Sequence, residues 1–239
     1  MFDALIGRAR TARSQFTVYV GADDRGDVDV AERFANHDVH VEYRTLPSGG
    51  PAPFVVVERD GEFAGAIALA DLADLLEPPV VRPGDADDVS DGYRVLFEVL
   101  DDTVFTAMAR RELLAVSREI EERAFRIGTG VLHAGFQSMS RYRAQFDVYR
   151  TLATDTDLDV HVYGADDWSP PEVPGIAYHD YPVVDGERYW VIAFLGGDED
   201  STANALLARQ DGDAYDGFWT DDPDIASEVA SALDPAAGR

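Results

Sequence analysis

The chain has 239 residues, with 46 acidic against 20 basic side chains, a formal net charge of −26 and a sequence pI near 4.3. Hydrophobic residues make up 46% and aromatic residues 10%, so the acidity is not that of a disordered chain, which lacks the apolar surface to build a core. Cysteine is absent, which excludes disulfides, thiolate metal sites and a cysteine nucleophile.

Lysine is also absent, so every basic side chain is arginine. At low ionic strength such a charge drives self-repulsion of the compact state. At molar salt the screening length falls to about 3 Å and the repulsion is largely removed. The composition therefore reads as that of a halophilic protein. The N-terminus, Met1-Phe2-Asp3-Ala4-Leu5-Ile6-Gly7-Arg8, lacks the basic region and apolar run of a signal peptide. No apolar stretch reaches membrane-spanning length. The expected location is the cytoplasm, without membrane insertion.

In chain order, residues 2–12 predict a small amphipathic helix, and Phe16-Thr17-Val18-Tyr19-Val20 predicts a buried strand. A helix over 28–34 and a strand over 39–43 follow. Strands over 54–58 and 63–68 flank Asp60-Gly61, a hairpin signal, and a helix over 69–76 ends at Pro78-Pro79. Residues 1–77 thus read as a small α/β domain. Residues 78–92 are rich in Pro, Gly and Asp and read as a linker, with 78–103 leading into the next unit.

A central helix pair is expected next. Phe105, Met108, Leu113, Val116, Ile120 and Ala124 recur at helical spacing. After Gly128-Thr129-Gly130 a second stripe carries Leu132, Phe136, Met139, Phe146 and Tyr149. Arg110, Arg111, Arg118, Arg123 and Arg126 alternate with Glu112, Glu119, Glu121 and Glu122. That mixing predicts a solvent-facing face laced with ion pairs rather than a nucleic-acid footprint.

The last third predicts a strand meander over 158–163, 176–181, 188–195, 203–209 and 215–220, with turns at Asp185-Gly186 and Asp211-Gly212. Asp222 as N-cap and Pro223 at the first helical position start a closing helix to about residue 233. The whole predicts an α+β fold: an N-terminal α/β segment, a central helix pair and a C-terminal antiparallel meander closed by a helix, with the second domain over 104–235. Val20-Gly21-Ala22-Asp23-Asp24 echoes Tyr163-Gly164-Ala165-Asp166-Asp167, either as a trace of duplication or as chance in an Asp- and Ala-rich chain.

Chemistry-bearing motifs are sparse. Gly196-Gly197-Asp198-Glu199 reproduces four letters of the GGDEF signature of diguanylate cyclases, but Asp200 replaces the aromatic and the family's upstream nucleotide elements have no counterpart. It reads as a solvated turn. Among the five histidines, His161 and His179 fall on neighbouring strands and, with Asp180, outline a weak metal possibility. No serine triad, phosphate loop or dinucleotide fingerprint is present, so the chain reads as a non-enzyme with no assignable cofactor. Trp168, Trp190 and Trp219 concentrate in the last third with many tyrosines. Trp190 fits a core strand; Trp168 and Trp219 fit a core or a ligand pocket equally.

The stretches Ser117-Arg118-Glu119-Ile120-Glu121-Glu122-Arg123-Ala124, Gly135-Phe136-Gln137-Ser138-Met139-Ser140-Arg141, Asp159-Val160-His161-Val162-Tyr163-Gly164, Asp167-Trp168, Ala205-Leu206-Leu207-Ala208 and Gly217-Phe218-Trp219-Thr220 resemble, in that order, the DICT sensory domain. That family occurs with diguanylate cyclases and two-component systems and as small haloarchaeal proteins. The resemblance covers about residues 110–235. It implies a sensory input domain, associated with light or redox responses, with no catalytic motif to carry over. The expected function is a stand-alone sensory module. It binds a small ligand through His133, Phe136, Gln137, Arg141, Trp168, His179 and Trp219, and signals to a protein partner or a second copy through residues 104–152. The alternatives are a ligand-free scaffold and a metal-dependent hydrolase.

Overall fold

The computed structural model describes residues 2–9, 14–21, 39–59, 61–70, 104–181, 188–197 and 202–233. The helix expected over 28–34, most of that over 69–76, the linker, the Asp185-Gly186 turn and Asp198-Glu199 lie outside them.

Helix α1 (Phe2–Ala9) leads into β1 (Ser14–Val20), followed by β2 (Val39–Thr45), β3 (Phe54–Arg59) and β4 (Glu62–Ala68). These strands form a sheet of order β2-β1-β3-β4. β1 runs parallel to β2, with Phe16 opposite Val41, and antiparallel to β3, with Val18 opposite Val55. The hairpin between β3 and β4 turns at Gly61, whose φ of +84° is the left-handed conformation that the Asp-Gly pair anticipates. Phe16, Val18, Val20, Val55, Val57 and Ile67 supply the buried face of this sheet, at the period-two spacing that a strand imposes.

A second sheet holds β5 (Val104–Ala109), β6 (Thr129–Ser138), β7 (Asp157–Ala165), β8 (Ile176–His179), β9 (Tyr189–Gly196), β10 (Ala203–Asp211) and β11 (Ala214–Thr220), in the order β5-β11-β10-β9-β6-β7-β8. β9, β10 and β11 form the antiparallel meander that the turn signals predict. β7 and β8, however, run parallel to β6, so the sheet is mixed rather than antiparallel throughout. The α+β class holds. Both sheets share one pattern. β2-β1-β3-β4 repeats the pairing senses of β7-β6-β9-β10. The Gly-Ala-Asp-Asp echo falls at the ends of β1 and of β7, with Gly164 and Ala165 still on β7, and these are not equivalent strands in that pattern.

The central helix pair is corrected. Phe105 and Met108 lie on β5, and helix α2 (Arg110–Ile127) starts after them. Leu132 and Phe136 lie on strand β6, not on a second helix. The helical content there is α3 (Met139–Tyr142), a 3-10 turn (Arg143–Gln145) and α4 (Phe146–Asp155). The cause is local. Gly128, at φ +72°, ends α2 with its N–H on the Ala124 carbonyl at 2.8 Å. Beyond it, the period-two set Leu132, Ala134 and Phe136 is buried, and it prevails over the three- and four-residue spacing. Gly130 takes φ +115° so close to β9 that an added Cβ would lie 2.3 Å from the Leu195 carbonyl oxygen.

Helix α2 is also buried, contrary to the solvent-facing expectation. Arg118, Glu119, Glu121 and Glu122 are exposed by only 8%, 4%, 1% and 7%. Leu113, Val116 and Ile120 belong to one apolar cluster that joins the inner face of the small sheet to Leu132, Phe136, Trp190, Ile192, Phe194 and Trp219 of the large one. The opposite face of the large sheet, with Val191, Ala193, Ala205, Leu207 and Phe218, is covered by α1 and by α5 (Pro223–Leu233). Asp222 caps α5 as expected, its carboxylate accepting from the Asp224 and Ile225 amides at 2.8 and 3.2 Å.

Candidate functional site

Three parallel strands end side by side at Ser138, Ala165 and His179, where β6, β7 and β8 hand over to α3 and to loops. The carboxyl ends of parallel strands are where open sheets leave a crevice for ligands. Gly164 makes the close approach possible, since an added Cβ would lie 2.9 Å from the Ser138 and Met139 backbone. Asp167 then ties the loop after β7 to α3. Its carboxylate accepts from the Ser140 amide at 2.7 Å and from the Ser140 hydroxyl at 2.5 Å. Those Ser140 bonds hold the Asp167 carboxyl below its ordinary range.

A cavity of about 380 Å³ opens here, within the size range of small-ligand sites. Trp168 and Tyr178 supply its flat walls, His179 one polar edge, and Asp166, Glu172 and Asp180 an acidic rim. Trp168 is half-buried: its ring stands perpendicular to Phe146 and tilted to Tyr142, both at 6.4 Å, and the Arg143 guanidinium lies 5.6 Å over it. The Tyr178 hydroxyl donates to the Pro171 carbonyl at 3.0 Å, and burial pushes its pKa up. The arrangement offers stacking surfaces and carboxylate acceptors, which suits a planar ligand carrying hydrogen-bond donors or positive charge.

Behind His179 runs a ladder of rings on the sheet face opposite Phe136 and Trp190. His133 sits opposite His161 in the β6–β7 register, and Tyr163 opposite His179 in the β7–β8 register. His161 Nδ1 and His179 Nε2 are 3.0 Å apart, and His161 Nε2 lies 3.2 Å from Asp159 Oδ2. A carboxylate only accepts, so an Nε2–H on His161 would face Asp159 and leave Nδ1 to accept from His179 Nε2. Tyr163 stacks on His179 at 4.8 Å, with its hydroxyl 3.0 Å from His133 Nδ1. Among the described residues no group of three His, Cys, Asp or Glu side chains converges on a metal position.

The expected ligand residues therefore divide. Trp168 and His179 line the crevice. Phe136, Gln137 and Arg141 line a separate narrow cavity with Arg110, Gln145 and Trp190. His133 lies on the far face of the sheet and reaches the crevice through Tyr163 and through His161, both of which stack on His179. Trp219 is buried in the apolar cluster of β11 and α2 and lines neither cavity. Sequence reasoning missed Tyr178, Asp167 and Ser140 as a group. The Asp-Asp pair directly after β7 was the available signal, since a carboxylate at a strand end is placed to cap the neighbouring turn.

Below the crevice, α4 is joined to α2 by buried charge. The Tyr149 hydroxyl donates to Glu121 at 2.7 Å, and Arg118 pairs with Glu121 and with the Gln145 carbonyl oxygen. Burial, reinforced by the Glu121 charge, pushes the Tyr149 pKa well up. For Arg118, burial works to lower the pKa, and the Glu121 charge outweighs it. At the other end of α2, Arg123 bridges Glu119 at 3.0 Å and Asp221 at 2.8 Å, anchoring the helix to the end of β11.

No curated protein matches this chain at a significant level. Among solved structures, the polyphosphate kinase of Porphyromonas gingivalis aligns over 98% of this chain and 48% of that one, at 12% identity and a TM-score of 0.38. The chain thus spans about half the length of that protein, and the likeness is too remote to carry fold or activity across. Residues 94–210 match the family described as a sensory domain in diguanylate cyclases and two-component systems. They run from β5 into β10 and include the crevice, so this segment is similar to a DICT domain.

Proposed function

We propose that residues 104–235 form a stand-alone sensory unit that takes a small, flat, donor-rich ligand in the crevice at the ends of β6, β7 and β8. The observation that carries this is the half-open 380 Å³ cavity walled by Trp168 and Tyr178, with His179 and three carboxylates around it. Ligand occupancy would bias the loop after β7, and through Trp168 the 3-10 turn and α4, because Trp168 touches Phe146 and Tyr142. A ligand shifts such a balance only by its differential affinity for the two arrangements. Within residues 104–152 the middle of α2 is buried, and α4, with Asp147 and Arg150 exposed, offers a surface to a signalling partner or a second copy. Among the described residues no helix is long and apolar enough to cross a membrane.

The test is native mass spectrometry and absorbance of the protein purified without denaturation from its own host, followed by the same measurement on Trp168→Ala. A co-purifying small molecule lost from the variant supports the reading. A mass equal to that of the bare chain, with no thermal shift from a panel of cationic heterocycles, leaves a ligand-free interaction protein instead.

A further inference from the structure

The narrow second cavity has a chemistry unlike that of the crevice. Its floor is Phe136, Gln137 and Trp190, all buried, and its mouth is flanked by Arg110 and Arg141, both exposed. In a chain with 46 acidic and 20 basic residues, an arginine without a carboxylate neighbour is unexpected. Yet neither Arg110 nor Arg141 has an ion-pair partner among the described residues. The indole N–H of Trp190, a residue only 5% exposed, has no acceptor among them either. A buried donor left without an acceptor is destabilising, so its retention calls for an explanation.

The two carboxamides sharpen the picture. Gln145 accepts from Arg118 through its carbonyl oxygen, which leaves its NH₂ group as a donor at the cavity. Gln137 donates its NH₂ to Gln210 at 3.0 Å, which leaves a carbonyl oxygen. Gln137 is also held at φ +64°, the one non-glycine residue with positive φ among the described residues, at the bulge where the β6–β7 register shifts. Backbone strain of this kind persists where the surroundings require a side chain in one place. The space inside is about 10 Å³, room for one water or one oxygen atom of that size.

We propose that this cavity binds a phosphate group. One oxygen enters against the Trp190 N–H, and the remaining oxygens meet Arg110, Arg141 and the Gln145 amide. Guanidinium groups match phosphate in geometry and charge. A planar carboxylate offers only two oxygens to donors arriving from floor and rim. The lone acceptor, Gln137, is matched by the proton that inorganic phosphate retains near neutral pH and that sulfate lacks; a phosphomonoester, with a second pKa of about 6, meets it in its monoprotonated form. The source is either free inorganic phosphate or a phosphomonoester, since the mouth opens between two solvent-exposed arginines. The site does not depend on the crevice ligand.

The experiment titrates the full chain with inorganic phosphate, adenosine monophosphate and sulfate at constant ionic strength in KCl. The readouts are the Trp190 indole N–H resonance and calorimetry. Saturable one-to-one binding of phosphate or of the monoester is expected, with the Trp190 resonance shifting and sulfate at least about tenfold weaker. Arg110→Gln with Arg141→Gln should weaken binding by about a hundredfold, from the loss of two charge-assisted contacts. The thermal midpoint should stay in place, because both side chains are exposed. Trp190→Phe keeps the ring, removes the donor and should weaken binding about tenfold, whereas Trp168→Ala should leave it unchanged. No saturable binding of either phosphate probe, equal binding of sulfate, or full affinity in the arginine double variant would each overturn the proposal.

Discussion

The hydroxyl of Tyr149 on α4 donates to the carboxylate of Glu121 on α2 at 2.7 Å, at a point where neither side chain reaches solvent. Glu121 is held from its other side by Arg118. Tyr149→Phe keeps the packing and leaves Glu121 one donor short, so it should cost about 2 kcal/mol. Arg118→Met leaves an uncompensated buried carboxylate and should cost more, about 3–5 kcal/mol. Chemical denaturation of the two variants checks the order. Equal losses would show that Tyr149 matters as much to Glu121 as its cation does.

Asp167 provides a pH dependence. Its folded pKa lies below the ordinary 3.8, chiefly through the Ser140 hydroxyl. A depressed folded pKa stabilises the fold fully above the unfolded value and loses that contribution as pH falls through the folded one. The loop after β7 should therefore stay tied to α3 down to about pH 4 and release below it. The Ser140 amide resonance should move through that range in the wild type and stay flat in Asp167→Asn. A wild-type resonance unmoved down to pH 2 would remove Asp167 as the tie.

The tryptophans should separate by role. Trp190 lies in the core cluster, and Trp190→Ala should cost about 3–5 kcal/mol. Trp168 is half-buried in the crevice wall and touches Tyr142 and Phe146, so Trp168→Ala should cost about 1 kcal/mol. Thermal melts of the two variants test this directly. A loss at Trp168 matching that at Trp190 would make Trp168 a core residue and weaken the case for the crevice.

The charge of −26 should make stability salt-dependent. Raising KCl from about 0.1 M to about 2 M should lift the thermal midpoint by about 10 °C, or roughly 3 kcal/mol for a chain of this size. Sorbitol at matched water activity should not reproduce the gain. A midpoint indifferent to KCl would mean that the acidic surface does not control folding.

Much of the fold was legible because its signals were local. The turns at Gly61 and at Asp211-Gly212, the Asp222-Pro223 start of α5 and the alternation in β7 each act over a few residues, and each lies where expected. The misreadings came where tertiary context decided. Leu132, Phe136 and Met139 fit a helical stripe as well as a strand running into a turn, and only pairing with β7 and β9 selects the strand. The Arg and Glu mixture of α2 looked like a solvated face because local sequence carries no record of Gln145, Tyr149 and Asp221, the distant partners that receive those charges. At the crevice, Trp168 and His179 were legible as an aromatic and a titratable group at element ends. The grouping of Phe136, Gln137 and Arg141 with Arg110 and Trp190 was not, since it depends on a bulge and on strand order.

The place of β5 at the outer side of β11 has a consequence for how the molecule is made. Val104 registers against Phe218, so the first strand of the large sheet waits for its neighbour until roughly 110 further residues have been synthesised. At cellular elongation rates that delay is roughly 5–20 s. Throughout it, the nascent chain carries an unpaired strand and a helix full of charges destined for the interior. For those seconds an open strand edge is available to other chains, so pairing with a neighbouring copy competes with the later pairing to β11.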